Sequence, residues 1–213
     1  MIAYKFLSAG AVAPFTRRPW PLPSPAGAGP WLDAPDDRPE HGVHACRVRD
    51  LAFWLDSELW RVELDDPLRD GQRQIIGSRG RLVERISRWD ESSARGFAEA
   101  CAWRARDRSV AALRGSAFDQ DAALLVGCSS LSELRSVSNG ISTRSCGLPA
   151  ALAGYLAETV DFLLAGDSAC STYISARSAV VAERGDEDAF GEEREEQSWA
   201  LAERLGLSPQ RDV

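Results

Sequence analysis

The sequence predicts an α+β protein: a small N-terminal mixed or antiparallel sheet with a long proline-rich loop, followed by a C-terminal helical bundle. Two observations carry this prediction. Up to about residue 88 apolar residues alternate as in half-buried strands, whereas beyond Trp89 they recur at helical spacing. Residues 10–39 hold most of the chain's 11 prolines, which favours irregular structure there. We therefore expect an α+β domain in residues 1–88 and an all-helical domain in residues 89–213.

Alternation predicts about five strands in the first domain. It is clearest in ELWRVEL, where Trp60, Val62 and Leu64 share one face and Leu59 is expected on the opposite, polar face. A short helix is expected in DLAFWLDS, with Asp50 as its N-cap. The predicted strands span residues 2–8, 42–47, 58–64, 73–76 and 81–86.

Helical spacing and end signals predict about five helices in the second half. Pro149 suits a first helical turn, Gly166 ends the same helix, and Asp167 caps the next one. The segment SNGISTRSCG, residues 138–147, is a loop by composition. Short connections favour antiparallel packing of these helices. The predicted helices span about residues 93–114, 119–137, 148–166, 168–183 and 189–205.

Charge and apolar patterning restrict the classes of partner. The net charge is -7 and the isoelectric point is near 5.0. Nucleic acids and anionic membranes reward a basic surface, so we expect neither as the main partner. No apolar segment approaches the length of a membrane span or a signal peptide.

The cysteines and the basic residues indicate a bacterial cytoplasmic protein. The five cysteines are odd in number and widely spaced, and they form no CxxC pair, so reduced thiols in the cytoplasm are the simplest interpretation. Lys5 is the single lysine, and every other basic side chain is arginine or histidine. Composition bias of a high-GC genome explains this better than chemical need for arginine.

The candidate catalytic residues are His44 and Cys46, which lie two apart in a predicted strand and therefore share a face. Their Cβ atoms are expected roughly 6 to 7 Å apart. A thiolate nucleophile needs a nearby base or positive charge, which His44 could supply. The alternatives are a polar histidine that lines a pocket and a structural histidine beside a buried thiol.

Other polar groups are weaker candidates. His41 and His44 lack the further ligands of a metal site, so no metal is expected and any other cofactor is unknown. Glu63 is a candidate carboxylate, although alternation puts it on the polar face. Arg79 and Arg81 form an RGR pair that could bind a phosphate or carboxylate, and solvated strand ends explain the pair equally well.

The strand YKFL, the segment GVHACRVRDLAFWL and the strand ELWRVEL resemble bacterial domains with a Gly-x-His-x-Cys signature. More remotely, they are similar to the central motif of ADP-ribosyltransferases, over about the first 88 residues. The resemblance implies an NAD cleft with Tyr4 or Lys5 on its first strand, His44 at the motif's aromatic position and Trp54 on the helix that walls the nicotinamide pocket. The first strand lacks the His or Arg that is usual in that family.

These observations predict a small-ligand cleft in the first domain, bounded by Tyr4, His44, Trp54 and an arginine, covered by the proline-rich loop and holding a phosphate-bearing molecule such as a nucleotide or NAD. One alternative is a non-catalytic assembly protein that forms homo-oligomers through its acidic helical half. The other is a Cys-His nucleophilic enzyme. Whether the protein is an enzyme at all stays open at this stage.

Overall fold

The architecture is that of an α+β protein, with antiparallel sheets in the N-terminal half and helices in the C-terminal half. The computed structural model describes residues 1–25, 27–34, 42–115 and 117–207. The chain divides into two compact units. The first contains residues 1–91 and the segment from Glu195 onward, and the second contains residues 92–194. A domain boundary at residue 88 stays a prediction, because compactness alone does not tell which part folds independently.

Seven strands and a 3-10 helix build the N-terminal segment of the first unit within the described residues. The strands are β1 (Ile2–Leu7), β2 (Leu32–Asp33), β3 (Val43–Ala45), β4 (Glu58–Leu64), β5 (Arg69–Gly71), β6 (Gln74–Gly77) and β7 (Arg79–Arg85). They form two antiparallel sheets, ordered β1-β4-β7-β2 and β3-β6-β5. The five predicted strands are present, and the short strands β2 and β5 are additional.

Strand β4 confirms the predicted face, with Trp60, Val62 and Leu64 buried. The prediction that Leu59 is on a polar face is wrong, because Leu59 is fully buried. It pairs with Phe6 of β1, which is buried in turn. Both faces of the sheet are therefore covered where β4 begins.

The two sheets approach closely at Gly80 of β7. A Cβ atom built there would lie 2.7 Å from Cγ1 of Val43, closer than real carbon atoms pack. A residue without a side chain therefore lets strand β3 lie against strand β7. Val43 and Leu64 belong to the same apolar core as Trp20 of the proline-rich loop.

The proline-rich loop is partly regular. Strand β2 pairs with β7, contrary to the expectation of irregular structure, because Leu32 and Asp33 find a free sheet edge. Residues 8–20 fold back on themselves, with the amide of Trp20 donating to the carbonyl of Ala11 at 2.9 Å. Trp20 is buried and thereby anchors this part of the loop to the apolar core. Ala26 and residues 35–41 of this loop lie outside the described residues.

The short helix after β3 is a 3-10 helix, Val48–Trp54, and Asp50 is not its N-cap. The N-cap residue is Arg47, which makes no side-chain capping bond. Asp50 lies inside the helix and is buried, 3.7 Å from the guanidinium of Arg73. Burial raises the pKa of Asp50 above its ordinary value, and the neighbouring arginines oppose that rise.

Six α-helices follow within the described residues: α1 (Glu91–Leu113), α2 (Asp119–Val126), α3 (Leu131–Arg144), α4 (Leu148–Leu164), α5 (Ser168–Ala182) and α6 (Asp188–Leu205). Helix α6 contributes its first residues to the second unit and its last residues to the first. No helix in the described part of the chain is long and apolar enough to cross a membrane.

The prediction of one helix over residues 119–137 is wrong, because the chain breaks at Gly127 and restarts at Ser130. The Ser130 hydroxyl accepts from the amide of Glu133 at 3.3 Å, which is a standard N-cap. The predicted loop over residues 138–147 is also wrong up to Arg144, since Ser138 and Ile141 are buried on one face of α3. Tertiary burial overrides the weak helix propensity of this segment.

The other predicted helix ends are confirmed. Pro149 lies in the first turn of α4, and Gly166 follows its end with a left-handed φ of 85°. The Asp167 carboxylate caps α5 by accepting from the amide of Cys170 at 2.9 Å. Local end signals were therefore sufficient at these positions.

Candidate functional site

A cavity of about 840 Å³ opens in the first unit beside β1, β3, the 3-10 helix and the proline-rich loop. Its volume is within the usual range for small-molecule sites. Six of its lining residues are aromatic: Tyr4, Phe6, Phe15, Trp20, Phe53 and Trp54. Its lining residues with a basic, acidic or amide side chain are Lys5, Arg18, Asp33, His44, Asp56 and Gln74.

A bridge between strands joins two walls of the cavity. The amide of Tyr4 donates to the carbonyl of Cys46 at 2.9 Å, and the amide of Cys46 donates to the carbonyl of Tyr4 at 2.7 Å. These two bonds attach the end of β3 to the middle of β1. The side chains of the two strands can therefore line one space although they are about 40 positions apart in the sequence.

The proline-rich loop supplies another wall. The amide of Ala13 donates to the carbonyl of Arg18 at 2.9 Å, which closes a tight turn with Phe15 at its tip. Phe15 is 84% exposed although it borders the cavity. Residues of this turn and His44 therefore line the same space. That the loop covers a ligand cleft stays a prediction.

Lys5 is the charged group of greatest interest in this wall. It is half-buried in β1, its Nζ donates to the carbonyl oxygen of His44 at 2.6 Å, and it lies 5.4 Å from the ring centre of Trp20. No carboxylate among the described residues pairs with Lys5. An ammonium beside aromatic rings, without a counter-ion, is costly to keep charged.

The pKa of Lys5 reflects this environment. Burial lowers it from 10.5 to about 8, and the thiol of Cys46 opposes the shift. At neutral pH the uncharged fraction of such an amine is about 300 times that of an ordinary lysine. Lys5 is thus a cation that can also present a free amine to the cavity.

His44 is half-buried, and its side chain contacts strand β6. Its Nδ1 lies 3.0 Å from Oε1 of Gln74. This contact orients the ring against Gln74, the first residue of β6. His44 therefore matches the alternative of a polar histidine that lines a pocket.

Tyr4 and Trp54, the predicted cofactor-binding aromatics, both line the cavity. Burial raises the pKa of the Tyr4 phenol, so it stays protonated and can act as a hydrogen-bond donor. The indole Nε1 of Trp54 donates to the carbonyl of Arg73 at 2.8 Å, which orients the ring. Trp54 thus offers an apolar face rather than a polar group.

Cys46 lines the cavity, but its surroundings do not support a nucleophile. The residue is 2% exposed, and burial raises the pKa of its thiol far above the ordinary value. Asp50 adds to the rise, while Lys5 opposes it. Because the thiolate is the reactive form, a thiol held protonated is unreactive at neutral pH. The catalytic pair of His44 and Cys46 therefore stays a prediction without support from the geometry.

Arg79 and Arg81, predicted to bind the ligand's oxyanion, do not line the cavity. Arg79 pairs with Asp65 and Arg81 with Glu63, each through a 2.7 Å bond from Nε. Both guanidinium groups also stack on Trp31, at 4.6 and 4.5 Å from its ring centre. Glu63, the candidate carboxylate, is therefore part of this surface network.

Arg18 is the arginine that lines the cavity. Its guanidinium donates to the main-chain carbonyl of Asp33 at 3.1 Å. That acceptor is uncharged, so this hydrogen bond does not neutralise the positive charge of Arg18. The sequence analysis named Lys5 only as an alternative to Tyr4 on the first strand of the implied cleft, and it chose Arg79 and Arg81 rather than Arg18 as the binding arginines. A lone lysine inside the apolar strand IAYKFL was a usable signal for Lys5, whereas no local pattern points to Arg18.

Metal binding finds no support in the described part of the chain, where no group of three or more potential ligand residues comes together. His41, the other histidine weighed for such a site, lies outside the described residues. Comparison with protein-family models, with curated proteins and with solved structures finds no match to this chain.

Proposed function

We propose that the first unit binds a small organic molecule with an aromatic or other flat apolar part. The observation that carries this proposal is the 840 Å³ cavity lined by six aromatic residues, with Lys5 and Arg18 as cations at its wall. A pocket of mostly apolar surface with a few converging polar groups is typical of small-molecule sites. Aromatic walls favour flat rings, and the two cations favour an anionic or electron-rich group on the ligand.

A nucleotide or NAD remains the first ligand class to test. The resemblance of residues 1–88 to ADP-ribosyltransferases supports it, since the corresponding elements line the NAD cleft in that family. Such a ligand carries both a flat base and phosphates, which suits aromatic walls with Arg18. We further propose that binding takes place in the cytoplasm, which the five unpaired cysteines support.

The test is a titration with NAD, ATP and benzoate, followed by the intrinsic tryptophan fluorescence and the melting temperature. Trp20 and Trp54 line the cavity, so a bound ligand should change the fluorescence. A ligand at 100 times its dissociation constant should raise the free energy of unfolding by about 2.7 kcal/mol. No response to any of the three compounds would contradict the proposal.

A matched pair of arginine variants locates the binding. Arg18→Ala should weaken binding of an anionic ligand, because it removes a cation from the cavity wall. Arg79→Ala should leave the affinity unchanged, because Arg79 lies outside the cavity and pairs with Asp65. Equal losses in both variants would mean that the ligand binds by overall charge rather than in the cavity.

A second proposal, self-association through the helical half, has weaker support. Leu164 and Tyr173 of this half are each 48% exposed, which is high for large apolar side chains. The acidic stretch EEREEQSW supports it less than expected, because Glu193 and Arg194 are buried. Light scattering after size exclusion separates the two proposals: a monomer that binds a ligand favours the cavity.

A further inference from the structure

We propose that Lys5 is the attachment point for the cavity's ligand, and that its amine takes a small aldehyde or ketone as a reversible imine. The proposal rests on the proposed function, since the same cavity must admit the ligand. It adds the chemical class of the ligand and the one residue that bonds to it.

The position of Lys5 supports this role. The side chain is half-buried and lines the cavity, so a ligand there can reach it. Its one hydrogen bond, to the carbonyl of His44, holds Nζ at the wall and leaves the nitrogen lone pair available once the amine is uncharged. No carboxylate among the described residues holds the group as an ammonium ion.

The surroundings favour the neutral amine and the imine. Tyr4 and Trp20 line the cavity together with Lys5, and the ring centre of Trp20 lies 5.4 Å from Nζ. Burial lowers the pKa of Lys5 to about 8, so a substantial fraction is the free amine near neutral pH. Desolvation of a lysine in an apolar pocket is a known route to an amine nucleophile.

The bond-forming step needs no oxidant or reductant. The lone pair of Nζ attacks the carbonyl carbon, the C–N bond forms as the C=O π bond breaks, and one N–H proton passes to the oxygen to give a carbinolamine. A proton then adds to that hydroxyl, and the C–O bond breaks as the nitrogen lone pair forms the C=N bond. One water leaves, and the second N–H proton is released, which replaces the proton that was taken up. Exchange of these protons with solvent water completes the step, so no further side chain is needed for the balance.

The remaining features of the cavity define the rest of the ligand. Aromatic side chains on several sides favour a flat apolar group attached to the carbonyl. Arg18, which also lines the cavity, favours an acidic or hydrogen-bond-accepting substituent on the ligand. The ligand class is therefore an aromatic or conjugated aldehyde or ketone.

The experiment is reductive trapping with benzaldehyde and sodium cyanoborohydride on the folded 213-residue chain at neutral pH. Because Lys5 is the single lysine, the Met1 α-amino group is the main competing amine, and fragmentation of the N-terminal peptide distinguishes the two. We expect the reductive benzylation of Lys5 to be at least about ten times faster in the folded chain than in the chain unfolded in urea. Benzoate, which fits the same walls without a reactive carbonyl, should slow the trapping.

Lys5→Arg is the matched variant, since it keeps a cation and cannot form an imine. It should lose the internal adduct while keeping the melting temperature close to that of the wild type. Trapping of Lys5 no faster in the folded than in the unfolded chain would overturn the proposal. If that result came with benzoate or NAD raising the melting temperature, imine formation would fail while binding in the cavity stood.

Discussion

Lys5 and Cys46 lie on neighbouring strands, and burial shifts the pKa of both side chains toward their neutral forms. The chemical consequences are opposite. A neutral lysine is an amine that can react, whereas a neutral cysteine is a thiol that cannot. The same desolvation therefore makes Lys5 a candidate for chemistry and weakens the case for Cys46.

The pH dependence of stability tests the state of Lys5. Its pKa is about 8 in the folded chain and ordinarily 10.5, so below pH 8 folding must bury a charge. Between pH 8 and pH 10.5 the unfolded chain binds more protons than the folded chain. The free energy of unfolding should therefore rise by about 3 kcal/mol over this pH range because of Lys5.

Lys5→Met isolates the contribution. At neutral pH the variant should be more stable by about 1 to 3 kcal/mol, since it removes the buried charge and loses one hydrogen bond to His44. Near pH 10 the gain should shrink, because the wild-type amine is then neutral too. Urea unfolding at both pH values measures it, and an equal difference at both would contradict the shifted pKa.

Cysteine reactivity provides a second prediction at this scale. Cys146 is exposed, while Cys46 and Cys101 are buried and burial raises the pKa of Cys101 to about 12. Iodoacetamide at neutral pH should therefore alkylate Cys146 first, and Cys46 only after unfolding. Peptide mapping over time measures the order. If Cys46 were alkylated as fast as Cys146, the hypothesis of a catalytic pair formed by His44 and Cys46 would be supported.

At the scale of elements, Glu58 fixes the connection from β1 to the loop that walls the cavity. Its carboxylate accepts from the amides of Gly10 at 3.2 Å and Ala11 at 3.1 Å, and from the indole of Trp60 at 3.0 Å. Ala11 has a positive φ of 55°, a conformation that side chains rarely adopt. The first residue of β4 therefore holds a strained turn at the start of the proline-rich loop.

Glu58→Gln should lower the free energy of unfolding by about 1 to 3 kcal/mol, because the amide cannot accept all three bonds and brings its own donors toward two backbone N–H groups. Glu84→Gln is the control, since Glu84 forms an exposed ion pair with Arg61 worth under about 1 kcal/mol. Chemical unfolding of both variants measures the difference. Equal costs would mean that Glu58 does not hold the turn.

At the scale of the whole molecule, the end of the chain returns to the first unit. The hydroxyl of Ser198 accepts from the amide of Ala52 at 2.9 Å, and Arg88 reaches the carbonyl of Leu205 at 3.4 Å. These bonds link positions more than 100 residues apart in the sequence. The last turns of α6 therefore support the 3-10 helix that carries Trp54.

Ser198→Ala should cost about 1 to 3 kcal/mol, because it leaves the buried amide of Ala52 without its acceptor. Ser132→Ala on α3 is the control, since Ser132 is exposed and such changes usually stay within about 0.5 kcal/mol. Differential scanning calorimetry of both variants measures the effect. If Ser198→Ala lowered the free energy of unfolding no more than Ser132→Ala does, the last turns of α6 would not stabilise the first unit.

The sequence by itself determined the α+β class, the five main strands and most helix ends. Alternation and helical spacing depend on residues a few positions apart, and the end signals of Pro149, Gly166 and Asp167 act within one helical turn. Because these interactions are local, the sequence is sufficient to predict their outcome. Local reasoning did not group Tyr4, His44 and Trp54; the resemblance to ADP-ribosyltransferases implied that these three residues line one site.

Only the tertiary structure decided which cationic side chains line that cavity and where helices α2 and α3 begin and end. Lys5 lines the cavity because β1 pairs with the end of β3, and Arg18 because the proline-rich loop folds back, whereas Arg79 and Arg81 are held by carboxylates on their own sheet. Each outcome depends on contacts between residues that are distant in sequence. Those distant neighbours also replace water around the Lys5 amine, and this burial lowers the pKa of Lys5.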